Sequence, residues 1–262
     1  MSLSAPPVLQ FAALLLGGTL AVFAVAARLF LPDEGLVGIG RAILQEDWKW
    51  LGTAWLVTQG VNRIARYNTS ATFTDLIYRI EGERVAFFQA WTHPWLTAFF
   101  TAVYFVGFPF VVLFTYFKVK SVDVEEAHRY AVAYLLLVVL STPFFVFFPV
   151  AVSAARADVA PLIYDAHPII TAGTLSTDTL LKAFPSLHTG LSVVAVLYAR
   201  KTDRAYAVTI AVVGLLIVIS TLYGGIHWLS DAVFAAILAL LAYGISRRGP
   251  APRTLAARYS PL

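Results

Sequence analysis

The sequence predicts an all-α integral membrane protein, and three observations carry that prediction. Of 262 residues, 59% are hydrophobic and 13% charged, against about 45–50% and about 25% in soluble chains. Long apolar runs recur along the chain, close to the roughly 20 residues that a hydrocarbon core requires. Basic residues gather in the connections between alternate runs, as they do in cytoplasmic loops.

Six runs predict a six-helix bundle: 8–31, 93–117, 128–151, 186–200, 205–226 and 227–246. The first is too long for the apolar part of a signal peptide and has no basic segment before it. The fourth is short, as suits a helix whose first turn lies in a polar pocket. Lys118, Lys120 and Arg129 follow the second run. Arg200, Lys201 and Arg204 join the fourth and fifth, and Arg247, Arg248, Arg253 and Arg258 follow the sixth. With six spans these groups share one face, the cytoplasmic one, and both termini lie inside. The loop 152–184 faces the other way with only Arg156 and Lys182. Arg28, near the outer end of the first run, is the one exception.

Residues 32–92 are too amphipathic to read as spans. Leu44, Trp48, Leu51 and Trp55 recur at helical spacing, and so do Phe73, Leu76, Ile77 and Ile80. These segments are expected to lie flat on the outer headgroup layer as an interfacial cap. Trp48, Trp50, Trp55, Trp91, Trp95 and Trp228 are all expected on that side, where indoles sit well. Asn68-Thr69-Ser70 is a glycosylation sequon. There is no internal repeat and no second domain: residues 1–262 read as one membrane domain, with a cap at 32–92 and a catalytic helical core at 128–246. Cysteine is absent and the net charge is a modest +4. Disulfides, thiolate metal sites and thiol nucleophiles are thereby excluded, and no basic patch suggests nucleic acid.

The chemistry-bearing residues sit at span starts. His188 opens the fourth run, and His227 and Asp231 open the sixth, all on the outer face. A spacing of four places His227 and Asp231 on one side of a helix. Asp231 can accept a hydrogen bond from one ring nitrogen of His227 and leave the other free to attack. A protonated His188 can give its proton to a departing oxygen. Pro185 suits a first helical turn, so backbone N–H groups around Ser186 would point outward to hold an anion. Gly224 and Gly225 would let backbone approach a bulky group. A nucleophile, its orienter, an acid and an anion cradle are parts of a phosphoryl-transfer site. The other reading of the trio is a structural ion pair or proton relay in a transporter or scaffold. His93 and His128 read as interfacial residues, and His167-Pro168 as a turn.

The stretches "FPSLHTG" (184–190) and "GGIHWLSD" (224–231) resemble the second and third signatures of the type-2 phosphatidic acid phosphatase superfamily, which is related to the vanadium haloperoxidases. The resemblance covers the second half of the chain. It implies six spans, a phosphohistidine at His227 oriented by Asp231, His188 as general acid, Ser186 on the phosphate, and no metal or other cofactor. Thr221 follows Ser220 where the superfamily has arginine, no Arg-Pro occurs, and Leu187 replaces a glycine. In these departures the chain is similar to the inositol phosphorylceramide synthase branch, which moves a phospho-headgroup between lipids. Fewer cations favour a singly charged phosphodiester donor over a dianionic phosphomonoester. Lys182, four residues before Ser186, and Arg156, after the third span, are the candidates to supply the missing charge. The expected partners are a phospholipid or lipid phosphate and the bilayer. The expected activity is phosphotransfer to an alcohol, or to water in a lipid phosphatase.

Overall fold

The computed structural model describes residues 6–31, 48–67, 72–177 and 179–248. The sequon, the whole segment 32–47 with Leu44, and Arg253 and Arg258 lie outside the described residues. Nine helices follow one another among the described residues: α1 (Pro7–Phe30), α2 (Trp48–Tyr67), α3 (Thr74–Glu81), α4 (Pro94–Val122), α5 (Val124–Phe147), α6 (Pro168–Thr177), α7 (Leu187–Ala199), α8 (Arg204–Tyr223) and α9 (Leu229–Arg248). The only β feature there is an isolated bridge between Val150 and Lys182.

Helix starts follow the capping residues. His93 caps α4 through Trp95 N–H, with Pro94 next in line. Asp123 caps α5 through Glu125 and Glu126 N–H, and Asp203 caps α8 through Tyr206 N–H. Such side chains satisfy donors that a first turn otherwise leaves unpaired. Five helices, α1, α4, α5, α8 and α9, are long and apolar enough to cross a membrane, whereas α7 is apolar but only 13 residues long. The length of α7 has a packing reason. It lies against α5, α8 and α9 together, and a side chain at Gly190 would strike Leu137 of α5 at 2.8 Å. A helix enclosed by other helices need not match the lipid thickness.

The path of the first third of the chain differs from the expectation. α2 does not lie across one end of the bundle; it packs along α5. Trp50 meets His128 near the start of α5, with ring centroids 5.9 Å apart. Farther along, Asn62 meets the same Lys182 ammonium that lies 5.6 Å from the ring of Phe145 near the end of α5. α2 is therefore parallel to α5 and, at 20 residues, about 30 Å long. Its Thr58 and Asn62 line a cavity, while Trp55, Leu56 and Ile64 face outward.

α1 also runs against the expected sense. Phe11 stacks edge-on with Phe105, Phe23 packs on Phe114, and Phe30 meets Tyr206 at 5.0 Å. Lys118 Nζ donates to Phe30 O at 2.8 Å. α1 is thus parallel to α4, and Pro7 and Arg248 lie at opposite ends of the bundle, not at the same end. Arg28 then joins the other bases at the end that holds the Lys118–Asp203 and Arg247–Glu126 ion pairs. Trp50 sits toward this basic end too. Trp91 and Trp95 are exposed at the other end, and Trp228 is fully buried there, donating to Ala151 O. α3 and the 3-10 turn Arg84–Gln89 cap that second end.

Candidate active site

The site lies at the capped end, where α7 and α9 begin. Residues 180–183 are tied down first. Val152 N–H donates to Leu180 O, and Ala183 N–H to Val150 O, at 2.9 Å each. Ser186 then caps α7 by accepting from Thr189 N–H at 3.3 Å, so the helix starts at Leu187 and Pro185 stands ahead of the cap. His188 falls in the first turn. Its ring is clamped by two aromatic residues of α4: Tyr104, nearly coplanar at 4.3 Å, and Phe108, also at 4.3 Å. α4 has π-helical turns at Val103–Gly107 and Phe110–Phe114, wider coils that often mark functional positions.

His227 is delivered by the turn after α8. Gly224 ends that helix, and Gly225 takes φ +69°, where a side chain would be strained. Ile226 and His227 N–H both donate to Thr221 O. Asp231 reaches back from the first turn of α9. Its Oδ2 accepts from Trp228 N–H at 2.8 Å and lies 3.2 Å from His227 Nδ1. The next two donors, Leu229 and Ser230 N–H, are taken by the buried Glu81 carboxylate of α3 at 2.8 and 2.9 Å. A carboxylate is well placed at a positive helix end, and this one ties the cap to the turn that carries His227.

The ring centroids of His188 and His227 are 6.1 Å apart. With Nδ1–H of His227 directed at Asp231, Nε2 keeps a lone pair. Both histidines line a cavity of about 230 Å³ that Lys182 also lines, and among the described residues no arginine or carboxylate stands in its walls. Lys182 hydrogen-bonds Asn62 Oδ1. His188, His227, Asp231 and Lys182 are thus brought together.

The other expected residues are placed differently. Ser186 is 1% exposed and adjoins the trio, donating its N–H to Asp231 O at 3.4 Å, but does not line the cavity. Arg156 is exposed on the rim, 2.8 Å from Asp75 and stacked 4.0 Å from the Tyr78 ring. Its guanidinium is held further in the charged form, chiefly by the hydrogen bond to Asp75. Gly224 and Gly225 admit the chain's own residues: side chains there would strike Ile163 at 2.7 Å and Ala160 O at 2.4 Å. Thr221, which stands where arginine was expected, bonds back to Val218 O. His93 and His167 accept from Trp95 and Ile169 N–H as helix caps.

Sequence reasoning missed Tyr104, Phe108, Thr58, Asn62 and Tyr164, which also line the cavity. The available signals were weak: Gly107 and Pro109 interrupting an apolar run, and one amide on the polar face of an amphipathic segment. Among the described residues no group of three or more His, Cys, Asp or Glu is arranged to hold a metal ion.

The family model of the PAP2 superfamily matches residues 75–245, more than half of the chain and the whole segment from α3 through both histidines. No curated protein and no solved structure matches the chain. Sharing that segment with its site, the chain belongs to the PAP2 superfamily.

Proposed function

We propose that the protein is a membrane-embedded lipid phosphotransferase that works through a phosphohistidine at His227 and takes its phospho-headgroup from a phosphodiester lipid. Members of the PAP2 superfamily are generally phosphatases or phosphotransferases. The observation that carries the finer reading is the geometry at one cavity: His227 set by Asp231 at 3.2 Å, with His188 facing it at 6.1 Å. At that centroid separation both rings can contact one tetrahedral group held in the cavity they line. In the first step His227 Nε2 bonds to phosphorus, and the bond from phosphorus to the leaving oxygen breaks. The imidazolium of His188 gives that oxygen its proton. In the second step neutral His188 takes the proton of the acceptor hydroxyl, whose oxygen bonds to phosphorus as the P–N bond breaks. Asp231 Oδ2 keeps its contact with Nδ1 of His227 and stabilises the positive ring that forms there. Among the described residues of the cavity wall Lys182 is the one lysine or arginine, and a singly charged diester is the better match for the donor.

The long apolar helices and α7 would cross the bilayer, with α2 crossing beside α5. The basic end would be cytoplasmic, joined there by Arg28, and the cavity would face the extracytoplasmic leaflet. An apolar cleft of about 420 Å³ between α3, α5 and α9, walled by Ile80, Phe148 and Phe234 among others, offers lipid chains a way in.

The test is incubation of purified protein with a labelled phosphodiester lipid, with and without an alcohol acceptor, followed by acid-labile phosphate trapping. The expected result is label on residue 227 and headgroup transfer that requires the alcohol. Free phosphate released from phosphatidate alone would make the protein a phosphatase. Full turnover by His227→Ala would end the enzymatic reading and leave a relay or structural lock. Otherwise His227→Ala is expected to lose about 10³-fold or more in kcat.

A further inference from the structure

We propose that Asn62 is a positioning residue, which holds the Lys182 ammonium at the cavity wall where it meets the phosphate of the substrate; this rests on the phosphoryl-transfer reading. Asn62 lies on α2, ahead of the segment 75–245 that the superfamily model matches. It is 7% exposed and shares one helix face with Thr58, and both line the cavity that holds His188 and His227. An ammonium only donates, so the amide turns its oxygen toward Lys182.

The arrangement solves a mechanical problem. A lysine is a point charge on a flexible four-carbon stem, and its position determines whether it binds an anion. Here the stem leaves the backbone at the Val150–Lys182 bridge. The ammonium lies 5.6 Å from the ring centroid of Phe145 and is held by Asn62. The amide oxygen orients the ammonium as a neutral acceptor, where a carboxylate at position 62 would add a negative charge. α2 is in this sense a wall of the reaction chamber rather than an anchor.

The test measures binding of orthovanadate and inorganic phosphate to the full chain by calorimetry, which does not depend on turnover. Asn62→Ala is expected to weaken both anions roughly tenfold. Asn62→Asp should weaken them more, because its charge neutralises the ammonium. The double variant Asn62→Ala/Lys182→Ala should bind no more weakly than Lys182→Ala alone. In turnover, Asn62→Ala should raise KM for the phosphodiester lipid and leave kcat within about threefold. Asn62→Ser supplies the same comparison if Asn62→Ala fails to unfold cooperatively. Unchanged anion affinity in Asn62→Ala, or losses that simply add in the double variant, would overturn the assignment. Wild-type protein that binds neither anion would instead remove the phosphoryl-transfer reading, and this inference with it.

Discussion

Lys182 and Arg156 entered as equal candidates for the same task, and the fold separates them. Lys182 stands in the wall of the chamber, against an amide and a phenyl ring, in the cavity shared with both histidines. Arg156 lies on the rim, exposed, with its charge committed to Asp75 and its plane to Tyr78. Distance from a motif along the chain does not distinguish the two. What does is the surrounding medium: a charge acts more strongly inside an enclosed cavity than across bulk water.

The contrast can be broken from the chamber outward. Lys182→Ala is expected to lower kcat/KM about 10²-fold, the scale of removing one preorganised electrostatic partner, measured with the lipid donor under steady-state conditions. Gly225→Ala should destabilise the fold by more than about 2 kcal/mol, because it combines a left-handed backbone with a contact to Ala160 O. Thermal unfolding in lipid discs reads this directly. Arg156→Ala should change kcat/KM by less than about threefold, with a small, salt-sensitive fall in unfolding temperature; a loss matching that of Lys182→Ala would erase the distinction between wall and rim.

The smallest effect belongs to Glu83. Its carboxyl is held below its usual range, first by Asp158 N–H and then by the Tyr78 hydroxyl. A depressed acid stabilises the fold above its unfolded value, 4.5, and this contribution is lost as pH falls through the lower folded value. Glu83→Gln should therefore lower stability slightly at neutral pH, flatten the acid limb of the stability profile, and match the parent protein once pH lies below the folded value.

The proximity of His188, His227 and Asp231 was legible because its information is local. A spacing of four puts Asp231 under His227 whatever the rest of the chain does, and two helix starts at one end of the bundle bring His188 into range. The bundle's all-helical character followed from composition for the same reason. The direction of α2 was not legible, because a polar stripe carrying Thr58 and Asn62 reads the same whether water or a cavity covers it. Arg28 did signal the sense of α1, but an even count of spans forced it to the wrong end. Tyr104 and Phe108 look like ordinary core aromatics until π turns bring them onto His188. The grip of Glu81 on α9 joins segments distant in sequence, so no pattern along the chain announces it. The two glycines were read as room for a ligand, and the room is filled by Ile163 and Ala160.

Because α1 runs parallel to α4, Pro7 stands at the end of the bundle that carries the two histidines and Arg248 at the other. On the proposed orientation, the first turn of α1 shares a headgroup layer with the lipid that supplies the donor, while the last turn of α9 is a full bilayer away from the chemistry.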